Sequence, residues 1–155
     1  MRFSIFIVII CFVVFSCVKP ASKDPIPILE YKNLKDLGKK NRDNSDTATL
    51  VISYQDGDGN LFADNSSDPS NLVITYMYYN PDSAKMVTHL SEATKVFQPD
   101  KGYYKGKSIR GDISYPLAAF RPSDKIKIIQ LKIFMVDMAK NKSNIITSPI
   151  YTLNF

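Results

Sequence analysis

The chain has 155 residues, with 20 basic and 15 acidic side chains and a formal net charge of +5. Its single histidine, His89, and its two cysteines, Cys11 and Cys17, cannot assemble a zinc site or a cysteine–histidine nucleophile. The basic residues are spread along the chain rather than gathered into the patch typical of nucleic-acid binding. We therefore expect neither an enzyme nor a nucleic-acid-binding protein.

The N-terminal segment has the pattern of an export signal. Arg2 precedes an apolar run from Phe3 to Phe15, and polarity returns after Ser16-Cys17. The run is shorter than the roughly 20 apolar residues that span a bilayer, and it lacks the A-x-A site of an ordinary secretory signal. The sequence Val14-Phe15-Ser16-Cys17 resembles the bacterial lipobox, although Phe15 is bulkier than the usual residue at its position.

The lipobox resemblance implies a lipoprotein signal peptide over residues 1–16 and lipidation of Cys17 after cleavage. Acyl chains such as palmitate would then hold the protein at the cell outer membrane, on its periplasmic face or at the cell surface. Each methylene of an acyl chain contributes about 0.8 kcal/mol to membrane binding, so two or three acyl chains anchor a protein stably where one does not. The alternative is an uncleaved N-terminal anchor.

Residues 17–46 predict a flexible tether between the lipid and a domain. Three prolines fall between Pro20 and Pro27, and a charged stretch runs from Lys35 to Asp43. Such a composition is typical of an extended linker. Two alternatives remain open, namely an edge strand at Ile28-Leu29-Glu30-Tyr31 and a helical turn over Leu34 to Lys40.

Residues 47–155 predict one β domain of six to eight short strands. The predicted strands are Thr47–Tyr54, Leu72–Tyr79, one within Met86–Phe97, one within Gly102–Lys107, Ile109–Tyr115, Ile126–Val136 and Asn144–Leu153. A change of phase after Ile128 predicts a β-bulge, and Pro149 predicts an edge strand. The pattern favours an all-β antiparallel sandwich, immunoglobulin-like or fibronectin-III-like, with a lipocalin-like barrel as the alternative.

An acidic loop follows the first predicted strand. Between Gln55 and Asn71 there are four carboxylates and no lysine or arginine. Asp56, Asp58 and Asn60 alternate with glycines, so their oxygens can converge on a calcium ion. The loop is not an EF-hand, because Leu61 stands where that motif needs glycine. The alternative is that these residues form a turn and nothing more.

Chain parity adds a fourth residue to the candidate calcium site. If strands run alternately up and down, alternate loops share one end of the sandwich. On that count one end holds Gln55–Asn71, Gln98–Gly102 and Asp137–Ser143. Asp137 is therefore expected beside Asp56, Asp58 and Asn60.

The DGDGN loop, the tyrosine-rich strand after it and the late turn from Val136 to Asn144 together resemble a known group. They are similar to small uncharacterised lipoproteins with immunoglobulin-like domains in Bacteroidota-type bacteria, with Lys140 where glycine is usual. The resemblance implies a membrane-anchored cell-envelope lipoprotein with an unidentified envelope protein or glycan as partner. We expect a non-catalytic binding or assembly module; the alternative is a small-ligand carrier with a lipocalin-like barrel.

Overall fold

The computed structural model describes residues 23–40, 46–98, 104–117 and 128–152. The predicted signal peptide and Cys17 lie outside these ranges. Eight strands are described: β1 Ile28–Lys40, β2 Asp46–Asp56, β3 Leu72–Asn80, β4 Lys85–Thr94, β5 Ile109–Pro116, β6 Ile128–Met135, β7 Ile146–Thr147 and β8 Tyr151–Thr152. Within the same ranges, no helix is long and apolar enough to cross a membrane.

The strands form two antiparallel sheets. One has the order β1-β2-β5, and the other has the order β4-β3-β6-β7, with β8 also paired to β6. The sheets are not closed into a barrel, and the predicted all-β antiparallel sandwich is confirmed. Apolar residues alternate with polar ones within the strands, so each sheet has one apolar face. The apolar faces of the two sheets pack against each other.

The core lies between the two sheets and is built from the inward positions of the central strands. Its fully buried strand residues include Leu50 and Ile52 of β2, Leu72 and Ile74 of β3, and Leu131, Ile133 and Met135 of β6. Burial of each such side chain contributes roughly 1.5–3 kcal/mol to folding. Burial therefore holds the two sheets together.

The predicted tether is wrong for Ile28–Lys40, which is strand β1. This strand pairs with β2 along its length, but its register shifts between Tyr31 and Asn33 and again between Lys35 and Lys39. Each shift places extra residues on β1, so its apolar residues do not recur at every second position. The edge-strand alternative is correct, and the domain begins well before residue 47.

Two smaller predictions are also corrected. Tyr104–Lys107, predicted as part of a strand, is a turn in which the Lys107 N–H donates to the Tyr104 carbonyl at 2.8 Å. The pairing of β6 is in continuous register from Ile128 onward, while Ile126 lies outside the described residues. A bulge lies instead in β4, where His89 is the extra residue between the partners of Tyr76 and Met77.

The last predicted strand is two short strands, β7 and β8, separated by Ser148-Pro149-Ile150. Both pair with β6 at the edge of its sheet, as Pro149 predicted. Ser148 bridges the interruption, because its hydroxyl accepts the Leu131 N–H at 2.9 Å. The hydroxyl thus takes the place of the backbone carbonyl that would accept this N–H in a regular strand pair.

Candidate metal site

Three aspartates from two loops meet at one end of the sandwich. Asp56 is the last residue of β2, Asp58 lies in the bend that follows, and Asp137 comes two residues after β6 ends. One carboxylate oxygen from each lies within 4.8 Å of the others. The structure thus brings Asp137 to the position that chain parity predicts. Calcium binding itself stays a prediction.

Asp56 shapes the loop and also leaves an oxygen unused. Its Oδ2 accepts the Asn60 N–H at 2.9 Å, which closes the bend. The side chain is only 1% exposed, and its Oδ1 is buried with no hydrogen-bond partner among the described residues. A buried acceptor without a donor is costly, so such an atom calls for a ligand or an ion.

Asp58 and Asn60 repeat this arrangement. The Asn60 Nδ2 donates to Asp58 Oδ2 at 2.8 Å, and this bond orients both side chains. The remaining oxygens, Asp58 Oδ1 and Asn60 Oδ1, are buried and accept no hydrogen bond from the described part of the chain. Asn60, predicted from the sequence as a ligand, therefore lies beside the aspartates with its side-chain oxygen Oδ1 available.

Asp137 is held in place by its own turn. Its Oδ1 accepts the Asn141 N–H at 2.7 Å and its Oδ2 accepts from Asn141 Nδ2 at 2.8 Å. Lys140 adopts a left-handed conformation with φ 74°, which explains why glycine is usual at this position in similar turns. The Met138 N–H donates to the Asn60 carbonyl at 3.0 Å and joins this turn to the acidic loop.

Glycines let two further segments pack onto the acidic loop. A Cβ at Gly57 would lie 2.1 Å from the carbonyl oxygen of Asp24, so residues 23–24 rest directly on the loop. At Gly59, where φ is +72°, a Cβ would lie 2.1 Å from the Tyr104 carbonyl oxygen. The Gly106 N–H donates to the Asp58 carbonyl at 2.6 Å. The two glycines of the acidic loop are therefore needed for the close approach of neighbouring backbone as well as for the geometry of the turn.

The cluster is electrostatically unfavourable without a counter-charge. Burial and then the charge of Asp58 raise the pKa of Asp56 from 3.8 to about 6, and Asp137 adds to this effect. Hydrogen bonds from the backbone N–H groups of Asn60 and Gly59 oppose the shift in the pKa. Burial beside other carboxylates therefore disfavours the charged form of Asp56.

Oxygens in this arrangement suit a hard cation better than acid–base catalysis. Calcium takes carboxylate and amide oxygens at about 2.3–2.6 Å. Two oxygens bound to one calcium ion can therefore lie no more than about 5 Å apart. Asp56 and Asp137 are 1% and 2% exposed, so their carboxylates are largely screened from solvent. The residues present fit a bound metal ion.

The other carboxylates of the acidic loop have a different role. Asp68 Oδ2 accepts the N–H groups of Asp64 and Asn65, both at 2.8 Å, and so forms a turn.

Sequence reasoning missed Asn71, which is buried just before β3. Its Nδ2 donates to the carbonyls of Leu61 and Val96, and its Oδ1 accepts the Val96 N–H at 2.7 Å. An asparagine placed directly before a buried strand was the signal that could have revealed it.

Of the predicted site residues, Asp56, Asp58, Asn60 and Asp137 lie together, while Cys17 lies outside the described residues. Comparison of the chain with family models, with curated proteins and with solved structures finds no match.

Proposed function

We propose that this protein is a lipid-anchored lipoprotein of the bacterial cell envelope that acts as a non-catalytic binding or assembly module. Its anchor would be lipid on Cys17, for which the lipobox-like Val14-Phe15-Ser16-Cys17 is the support. The domain would be an immunoglobulin-like sandwich displayed from the outer membrane. Its partner would be another envelope protein or a glycan.

The observation that carries this proposal is the apolar interior of the sandwich. A carrier needs a cavity between its sheets with polar groups to orient a ligand. Here the inward positions of β2, β3 and β6 are filled by aliphatic side chains that are almost completely buried, such as Ile52, Ile74 and Ile133. A filled interior favours a module that binds through its outer surface over the lipocalin-like carrier.

The outer face of the β1-β2-β5 sheet offers a binding surface. An open groove of about 550 Å³ runs over it and is lined by charged and aromatic side chains, among them Glu30, Lys32, Tyr54, Arg110 and Asp112. Charges of both signs next to an aromatic ring suit recognition of a polar partner. We assign partner contact to this groove, which we call the outer groove.

The described chemistry supports a non-catalytic role. His89 lies exposed at the bulge of β4, and its ring meets Tyr78 edge-on with centroids 5.7 Å apart. Within the described ranges His89 forms no hydrogen bond with an acid or a nucleophile, so a catalytic dyad has no support there. Two of the three aspartates in the acidic cluster are almost completely buried, which disfavours their acting on a substrate.

The test is cross-linked capture of partners from native membranes by the full chain. Arg110→Glu reverses a charge in the outer groove, while Lys132→Glu makes the same reversal on the exposed face of the other sheet. We expect Arg110→Glu to lose the captured partner and Lys132→Glu to retain it. Equal capture by both variants would exclude the outer groove. Tight binding of a small hydrophobic ligand in place of any macromolecular partner would favour the carrier instead.

A further inference from the structure

We propose that Asp56, Asp58, Asn60 and Asp137 bind one calcium ion that fastens the two sheets of the sandwich together. The inference stands apart from the proposed envelope role, since it rests only on the geometry at one end of the domain. The ion would link the loop that follows β2 to the loop that follows β6, and these two strands belong to different sheets.

Unpartnered oxygen atoms carry the inference beyond the presence of an acidic cluster. Asp56 is 99% buried, and its Oδ1 meets no donor in the described part of the chain. Asp58 Oδ1 and Asn60 Oδ1 are in the same condition. The second oxygen of each aspartate, and the amide nitrogen of Asn60, are engaged in the hydrogen bonds that shape the loop. Asp56, Asp58 and Asn60 are therefore each oriented by one atom and left with an oxygen available for a ligand. Asp137 would bind with an oxygen that also accepts a hydrogen bond from Asn141.

The spacing fits a single ion. Oxygen atoms of Asp56, Asp58 and Asp137 lie within 4.8 Å of one another. That limit is close to the separation of two ligands on opposite sides of one calcium ion. A cation would also offset the repulsion between the three carboxylates.

Calcium fits better than magnesium because of the burial and the type of ligand. Magnesium retains several of its waters and uses one or two carboxylates, whereas calcium accepts many protein oxygens in a flexible shell. The aspartates at either side of this cluster, Asp56 and Asp137, are almost completely buried. A dry site with three carboxylates and an amide oxygen therefore favours calcium.

The ion would act as a clasp between the sheets. Asp56 ends β2, which belongs to the β1-β2-β5 sheet, and Asp137 follows β6, which belongs to the other sheet. Without an ion, the hydrogen bond from the Met138 N–H to the Asn60 carbonyl joins the same two loops. Binding to the folded form alone would stabilise it against unfolding.

The experiment uses the full chain, purified in detergent and freed of metal with EGTA. Calorimetric titration with calcium chloride should give one site. At a free calcium concentration about 100-fold above Kd, the melting temperature should rise by about 10 °C. Magnesium chloride at the same concentration should give a much smaller rise.

Two matched substitutions locate the ion. Asp58→Ala removes a proposed ligand, whereas Asp64→Ala removes an exposed carboxylate of the same loop that lies outside the cluster. We expect Asp64→Ala to keep the full rise in melting temperature and Asp58→Ala to lose it. Circular dichroism checks that both variants retain β structure.

The outcomes that would overturn the site are equally definite. Absence of calorimetric binding to the wild-type chain at millimolar calcium would remove it, whether or not Asp58→Ala folds. An undiminished rise in Asp58→Ala would place the ion elsewhere. An equal rise with magnesium would overturn the choice of metal.

Discussion

Leu29 and Asn144 exchange two hydrogen bonds across the gap between the two sheets. The Leu29 N–H donates to Asn144 Oδ1 at 2.7 Å, and Asn144 Nδ2 donates to the Leu29 carbonyl at 2.9 Å. Leu29 belongs to β1, while Asn144 lies in the connection between β6 and β7. The side-chain amide therefore pairs with a backbone as a neighbouring strand would, and it ties the bulged edge strand to the opposite sheet.

We predict that Asn144→Ala destabilises the domain by about 1–3 kcal/mol, because it leaves the Leu29 backbone groups without their partner. Urea unfolding followed by circular dichroism measures this change. Asn33→Ala, at an exposed position of β1, is the matched control and should change the free energy of unfolding by less than about 0.5 kcal/mol. Equal effects in the two variants would show that the cross-sheet pairing contributes nothing.

Asn71→Ala should cost more, about 2–4 kcal/mol. The substitution removes three hydrogen bonds in a place with no exposure. It leaves the Leu61 carbonyl and the Val96 N–H without these partners, while the Val96 carbonyl still accepts the Ala63 N–H. Equilibrium unfolding gives the value. Asn65→Ala, in the exposed part of the same loop, serves for comparison and should be close to neutral. A cost below about 1 kcal/mol would mean that water replaces the lost partners.

Gly57→Ala should displace the segment that precedes β1. Its Cβ would lie 2.1 Å from the Asp24 carbonyl oxygen, which is a severe steric clash. We expect faster tryptic cleavage after Lys23, read by mass spectrometry. In Gly106→Ala the new Cβ meets no atom within 4 Å, so only the strain of its φ of +78° remains. Cleavage after Lys23 should then proceed at the wild-type rate. The contact would be unimportant if both variants were cut alike.

Lipid on Cys17 is tested at the N-terminus itself. Mass spectrometry of the mature N-terminal peptide should show acyl chains on this residue and no trace of residues 1–16. Cys17→Ser should leave the protein unprocessed, because the modification that licenses cleavage needs the sulfur. An unmodified Cys17 within an uncleaved wild-type chain would contradict the proposed anchor.

The sequence predicts the regular part of this fold well and its exceptions poorly. Thr47–Tyr54 was predicted as a strand and is the centre of β2, because a run of β-branched and aromatic residues favours the extended conformation of a strand. Asp137 was placed beside Asp58 from strand parity alone. By contrast, β1 was predicted only as an alternative and only over its first four residues, because its two bulges break the alternation on which strand recognition depends.

Contacts between distant residues of the chain were beyond reach for another reason. Leu29 and Asn144 are 115 positions apart, and Tyr31 and Tyr151, whose hydroxyls share a hydrogen bond, are 120 apart. No local pattern encodes such pairs, because each depends on how the sheets are stacked. No local pattern predicts the contact of Asp24 with Gly57 either, although a glycine at this position is consistent with a close approach of backbone.

The contact of Asp24 with Gly57 also determines which way the domain would point. With lipid on Cys17, only six residue steps lead to Lys23, a reach of at most about 20 Å. The end of the sandwich that holds the acidic cluster would then sit just above the headgroups. The nine residues of β3 lead away from that end for about 30 Å. The turn from Pro81 to Ala84 would therefore form the tip of the molecule, at most about 50 Å from the bilayer, as the first part that an approaching macromolecule meets.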